Sequence, residues 1–379
     1  MADVQGYCDD RFRPLRDLFE SNLDSGVDEG GSLAATLNGE FVVDLWGGAR
    51  DRKRTRPWER DTLGFVFSTG KVMVNITILM MVDRDLLDLD APIATYWPEF
   101  GRNGKHGVTT RQVLTHQSGV PGFGCSVGFT ELHDWDHMVG VVEDAALWFE
   151  PGTASCYAPI IYGFILGELV HRLSGQPFDR FFASEIAGPL GADFHFGVRA
   201  AADQARVSQV WFPDAAFPSG TELGVRAMSE TEPGEWVVPD RMAAVIPAAN
   251  GNGNARSMAR IGAMLAMGGE LDGRRYLRRE IVEEASREQS YAQDAVLGWC
   301  RLGLGFGLDS PGLAAPTPTT FHWGGYGGSC LTMDMATGLS FGFVPNRLRL
   351  GDEVIEERLG QLWSTVGEIS RGLRPSADA

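Results

Sequence analysis

Cysteine is scarce in this chain. There are five in 379 residues, Cys8, Cys125, Cys156, Cys300 and Cys330, widely spaced and with no Cys-x-x-Cys. An odd number without a paired spacing argues against a disulfide framework or a zinc ribbon. Positive charge is also short: 33 Lys and Arg stand against 50 Asp and Glu, a formal net charge of −17. Such a surface repels nucleic-acid phosphates and anionic membranes, so neither is expected as a partner. Long apolar runs are missing as well. The greasiest stretch, residues 72–82, is too short to cross a bilayer and contains Asn75. The first ten residues carry neither a basic nor an apolar block, so no secretory leader is expected and a reducing, cytoplasmic protein is the reading. What is left is ordinary for a folded soluble protein, 44% hydrophobic and 22% charged, with length for two domains or one domain with a large insertion.

Periodicity divides the chain. Phe12, Leu15, Leu18, Phe19 and Leu23 predict an amphipathic helix with Pro14 in its first turn. Strands are expected over Ser32–Leu37 and Glu40–Leu45, joined by a tight turn at Asn38-Gly39 and broken at Trp46-Gly47-Gly48. Residues 72–82 are apolar nearly all round, which predicts a helix buried on most sides. Further helices are expected over Arg111–Thr115, Asp134–Ala146, Ile160–Leu173 and Met258–Met267, with a last one from Glu353 to Ile369. Residues 203–245 read as surface loops. Strands are expected over Gly303–Leu308, Cys330–Asp334 and Leu339–Val344. Strands near both ends suit one antiparallel sheet. The expected architecture is therefore α+β: a sheet unit with flanking helices from residues 1–71 and 246–379, and a mainly helical insertion over 72–245, with a cleft between them.

The chemistry centres on Ser68-Thr69-Gly70-Lys71. A serine hydroxyl needs a neighbouring base to act as a nucleophile. A spacing of three puts Ser68 and Lys71 on one helical face. The apolar helix that follows predicts a desolvated Lys71, and burial lowers a lysine pKa towards useful base strength. Ser68 at the helix N-terminus would also have backbone N–H groups nearby for a developing negative charge. The tetrapeptide alone fits equally well a serine N-cap followed by a surface lysine.

Segments spread along the chain remove that ambiguity. Residues 65–123, 150–175 and 322–329 resemble the serine β-lactamase and penicillin-binding-protein superfamily, in which Ser-x-x-Lys is the first of three motifs. The matching stretches include Val82-Asp83-Arg84-Asp85-Leu86-Leu87-Asp88-Leu89-Asp90-Ala91-Pro92, Thr109 to Gly119, and Phe149-Glu150-Pro151-Gly152-Thr153. The closest likeness is to the class C β-lactamase-like branch, the family VIII carboxylesterases. The second motif, Tyr-x-Asn in the superfamily, reads Tyr157-Ala158-Pro159 here; the third, Lys-Thr-Gly, reads Trp323-Gly324-Gly325. The resemblance implies that Tyr157 shares the base and proton-shuttle work with Lys71. It also gives the oxyanion hole to the backbone N–H groups of Ser68 and Tyr326. A phenol beside an ammonium has a lowered pKa, so a phenolate is expected to be reachable. Pro159 lacks the amide that orients a lactam substrate, and Trp323 lacks the cation that holds a lactam carboxylate; Trp323 is expected to offer an apolar wall with Gly324 and Gly325 beside it. These departures favour a carboxylesterase acting on small esters, with no metal or organic cofactor. Three rivals remain: an acyltransferase of the same fold, a β-lactamase or D-aminopeptidase, and a non-catalytic binding domain.

Two other patterns invite chemistry. Gly124-Cys125-Ser126-Val127-Gly128 matches a nucleophile elbow, but what precedes it reads as loop rather than strand. His133 and His137 have zinc-ligand spacing, but no glutamate follows the first and no third ligand is evident.

Overall fold

Strands from both ends of the chain close one sheet. The computed structural model describes residues 3–211, 221–229, 238–349 and 358–373. Near the N-terminus lie β1 (Gln5–Cys8), β2 (Gly30–Leu37) and β3 (Glu40–Gly48). Three short strands follow, β4 (Gly64–Phe67), β5 (Phe194–His195) and β6 (Gly251–Gly253), and then a small hairpin, β7 (Glu270–Leu271) and β8 (Arg274–Arg275). The C-terminal part adds β9 (Ser290–Asp294), β10 (Gly298–Leu302), β11 (Gly307–Leu308), β12 (Thr320–Gly324), β13 (Cys330–Asp334) and β14 (Leu339–Pro345). The main sheet has nine strands in the order β1-β3-β2-β14-β13-β12-β11-β10-β9, and every neighbouring pair is antiparallel. The seam between the two ends is β2 on β14, in register from Leu37 opposite Leu339 to Gly31 opposite Pro345.

Each face of this sheet is covered. On one side α1 (Arg13–Ser25) lays Leu15 and Phe19 against Leu33, Val43, Phe341 and Phe343, and the helix Gly360–Leu373 adds Leu362 and Val366. On the other side the helix Ala255–Ala266 packs close enough that Gly262 meets Ser340 and Leu331. The same core holds α2 (Lys71–Asp83), buried at every residue from Lys71 to Met81. Two of its buried polar side chains, Asn75 and Thr77, are satisfied within the core. Thr77 donates to the Val74 carbonyl; Asn75 donates to the Gly305 carbonyl at 2.6 Å and accepts from the Tyr162 hydroxyl. After α3 (Thr110–Leu114) and α4 (Trp135–Asp144), α5 (Ile161–Ser174) packs on α2. Among the described residues of 72–245, β5 is the only strand, and it bonds to β6. No helix of the described residues is long and apolar enough to cross a membrane.

The expected hairpin, buried helix and antiparallel seam are all present, with three differences. β3 runs straight through Trp46-Gly47-Gly48, because those residues pair with Ser32, Gly31 and Gly30 where Leu23 of α1 presses on the sheet. Residues 303–306 turn rather than extend, so only Gly307–Leu308 is strand. The hairpin of β9 and β10 was not expected. It forms the sheet edge, where exposed Tyr291 and Trp299 alternate with buried residues, and no continuous apolar run marks it. Within 203–245 the described residues include the helices Glu222–Ser229 and Pro239–Ala243, and the rest of that expected loop lies partly outside the described residues. The expected last helix begins at 353; residues 353–357 also lie outside them.

Candidate active site

The short strand β4 delivers Ser68. Phe67, its last residue, has φ 47° and ψ −132°, a backbone conformation costly for a bulky side chain. That turn lets the chain leave the strand and enter a 3-10 turn, Ser68–Gly70, which runs directly into α2. Ser68 is the one residue from Thr62 to Met81 that is not buried. The start of a helix thus meets the surface at the hydroxyl, with everything behind it in the core.

Lys71 lies one turn on and is 1% exposed. Its Nζ is 3.2 Å from Ser68 Oγ, and it donates to the carbonyls of Pro159 at 2.8 Å and Ala248 at 3.1 Å. Desolvation, with no charged partner opposing it, holds its pKa well below the ordinary lysine value. A neutral amine has two N–H groups and one lone pair. In that form, with its two hydrogens on the two carbonyls, the lone pair would face the Ser68 hydroxyl. The Pro159 carbonyl sits just ahead of α5. The Ala248 carbonyl reaches the site because α5 approaches closely at Gly163, where any Cβ would lie 2.4 Å from the Ala248 nitrogen.

Tyr157 completes the group, its hydroxyl donating to Ser68 Oγ at 2.6 Å. The ring lies 4.9 Å from Lys71 Nζ, and it packs on His116 and Trp323 at centroid distances of 5.0 and 5.9 Å. The lowered Tyr157 pKa expected from sequence is not found. Burial raises the Tyr157 pKa above its ordinary value; hydrogen bonds with Ser68 and Trp323 pull the other way and do not offset it. Burial therefore favours the phenol of Tyr157, which can give a proton, and shifts Lys71 towards the amine, which can take one.

Trp323, in β12, is only 3% exposed, and its ring packs on His116 at 5.7 Å and on Tyr157. Gly324 and Gly325, half-buried, carry the chain past the mouth of the site. Tyr326 follows in the turn, its ring 5.5 Å from that of Phe67, so both candidate oxyanion donors sit on turns that touch one another.

Sequence reasoning did not single out His116. It is buried at φ 55°, it accepts the Ala158 N–H at Nδ1, and burial lowers its pKa to about 3. It is thus a neutral prop under Tyr157. Asp294 was also missed: it takes the Ser155 hydroxyl at 2.7 Å and ties the tip of the β9–β10 hairpin to the segment leading into Tyr157. Neither has a local signature, since each acts through a contact distant in sequence. Ser126 sits in an exposed loop. His137 pairs with Glu131, and the described residues hold no cluster of three metal-ligating side chains.

Comparison with known proteins places the chain and its fold in a family. The Beta-lactamase family model matches residues 15–362. The chain is 34% identical over 363 residues to the "Esterase/beta-lactamase LipL" of Mycobacterium tuberculosis, covering 91% of this chain and 83% of that protein. Its fold superposes on a penicillin-binding protein homologue from Caulobacter crescentus with a TM-score of 0.89 at 33% identity, covering 97% of this chain and all of the other. It superposes on a family VIII carboxylesterase with a TM-score of 0.88 at 34% identity and the same coverage. With a nine-stranded sheet and a family match over most of its length, the chain belongs to the β-lactamase family of serine hydrolases.

Proposed function

We propose that the protein is a carboxylesterase that cleaves small-molecule esters through an acyl-enzyme on Ser68. The observation that carries the reading is the polarity of the site: Ser68 Oγ lies between a desolvated amine and a buried phenol, at 3.2 and 2.6 Å. As Oγ attacks the ester carbonyl, its proton passes to Lys71 Nζ. The carbonyl oxygen, now anionic, is received by the backbone N–H groups of Ser68 and Tyr326. Collapse breaks the bond to the leaving oxygen, which takes the Tyr157 proton; Tyr157 regains one from the Lys71 ammonium. Water then attacks the acyl carbon and gives up a proton to the relay; the bond to Ser68 Oγ breaks, Oγ takes the proton back, and the acid is released. Lactam turnover by this site is expected to be slower than ester turnover. Position 159 supplies no side-chain amide and position 323 no cation, so a lactam carboxylate lacks the partners that would hold it.

Intact mass after mixing with p-nitrophenyl acetate or butyrate should show one acyl adduct, mapped by peptide analysis to Ser68. Ser68→Ala should abolish both adduct and turnover. Wild-type-like hydrolysis by that variant would end the proposal.

A further inference from the structure

The two oxyanion donors belong to segments far apart in sequence, and a short hydrogen-bond chain joins those segments. Ser329 Oγ donates to the Val66 carbonyl at 2.7 Å and lies 2.9 Å from Thr69 Oγ1. A hydroxyl has one proton. Ser329 spends its own on Val66, so Thr69 is the donor in the second contact. The order is Thr69 hydroxyl to Ser329 hydroxyl to Val66 carbonyl, and all three residues are buried. Thr69 and Val66 bracket Phe67 and Ser68. Ser329 closes the turn that holds Tyr326, since the Gly325 N–H donates to the Ser329 carbonyl at 2.8 Å and the Gly328 N–H to the Gly325 carbonyl at 3.0 Å.

Local backbone explains why this bond exists. In the pairing of β4 with β6, Phe65 sits opposite Asn252 and Phe67 opposite Gly251, with the register shifting between them. Val66 is passed over by the ladder, as the extra residue of a bulge is. Ser329 supplies a partner for its carbonyl. The fit is tight: a Cβ on Gly325 would lie 2.2 Å from the Val66 oxygen, 2.3 Å from Ser329 Oγ and 3.0 Å from Thr69 Oγ1. From behind, the Arg358 guanidinium, ion-paired with Asp28, donates to the Gly327 carbonyl at 2.8 Å and keeps the turn pressed forward.

We infer that Ser329 is a positioning residue that, through Thr69 and Val66, sets the spacing between the Ser68 and Tyr326 N–H groups. The inference rests on the reading of those two groups as the oxyanion hole. It is tested on the full-length protein by two measurements, ester turnover per active site and the rate at which a fluorophosphonate modifies Ser68. Ser329→Ala should lower kcat per titrated site about 10- to 100-fold with KM changed by no more than about 2-fold, a part of the roughly 100- to 1000-fold lost when an oxyanion donor is removed outright. Phosphonylation should slow in parallel. Thr69→Val should slow both, and Thr69→Ser, which keeps the hydroxyl, should restore them. A purely structural role would lower the melting temperature and the titratable fraction but leave the rate per titrated site at the wild-type value, and that result overturns the inference. If Ser329→Ala does not fold, the Thr69 pair decides, and equal rates for Val and Ser overturn it. If wild-type Ser68 is phosphonylated but no ester is turned over, the esterase reading fails, and the positioning role is judged on phosphonylation alone.

Discussion

Replacing Tyr157 by Phe tests the division of labour between the two groups on Ser68. The change deletes one oxygen and leaves the ring that packs on His116 and Trp323. The structural consequences are small in kind. Ser68 loses a donor at 2.6 Å, worth about 1 kcal/mol, and the phenol's own desolvation is relieved. The catalytic consequence should be much larger. A positioned proton donor contributes about 100- to 10,000-fold, or roughly 3–5 kcal/mol of barrier. That loss should also depend on the leaving group. p-Nitrophenolate departs readily without a proton, whereas an alkoxide from an ethyl ester does not. Tyr157→Phe should therefore lose about tenfold or more beyond its p-nitrophenyl loss when assayed on the ethyl ester of the same acid. The assay is kcat/KM for both esters, normalised to fluorophosphonate-titrated sites, with a melting temperature beside it. Equal losses on the two esters would refute a proton-donor role for Tyr157, and an unchanged rate on both would remove it from the mechanism.

The pH profile follows from Lys71. The amine must be unprotonated to act, so kcat/KM rises with pH through its pKa; because burial lowers that pKa, the rise should be complete well below the ordinary lysine value of 10.5, and a half-maximal point at 10.5 would show that Lys71 is not the base. Tyr157, raised by burial, should keep its proton through the neutral range, so no descending limb from it is expected below its ordinary value of 10.0. Gly325→Ala should force the Tyr326 turn away from the nucleophile strand. Overpacking of this kind costs about 1–3 kcal/mol in stability, read as a lowered midpoint in urea, and ester turnover should fall more than that cost alone predicts; full activity would show that the turn tolerates a Cβ at 2.2 Å from Val66.

Elements that depend on neighbours in sequence were legible. The α2 helix is apolar on all sides because it is buried on all sides, and the Asn38-Gly39 turn closes its hairpin with both residues at positive φ. The β9–β10 hairpin was not legible, because an edge strand needs no strong apolar pattern and gets its pairing from the sheet it joins. The resemblance of three separated motifs brought Ser68, Lys71, Tyr157 and Trp323 to attention together, and the structure sets Lys71 and Tyr157 on the Ser68 hydroxyl and Trp323 against the Tyr157 ring.

The sequence alone determined the residue types: a hydroxyl three places before a lysine at the head of an apolar helix, a tyrosine ahead of another helix, and a glycine-rich turn. Only the tertiary structure decided which way their pKa values move. The Lys71 pKa is pulled down by burial, which a side-chain pattern does not encode. The same holds for Tyr157, whose pKa was expected to be lowered beside a cation and is instead raised by burial. Desolvation is a property of everything packed around a group, so it is set when the chain closes and not before.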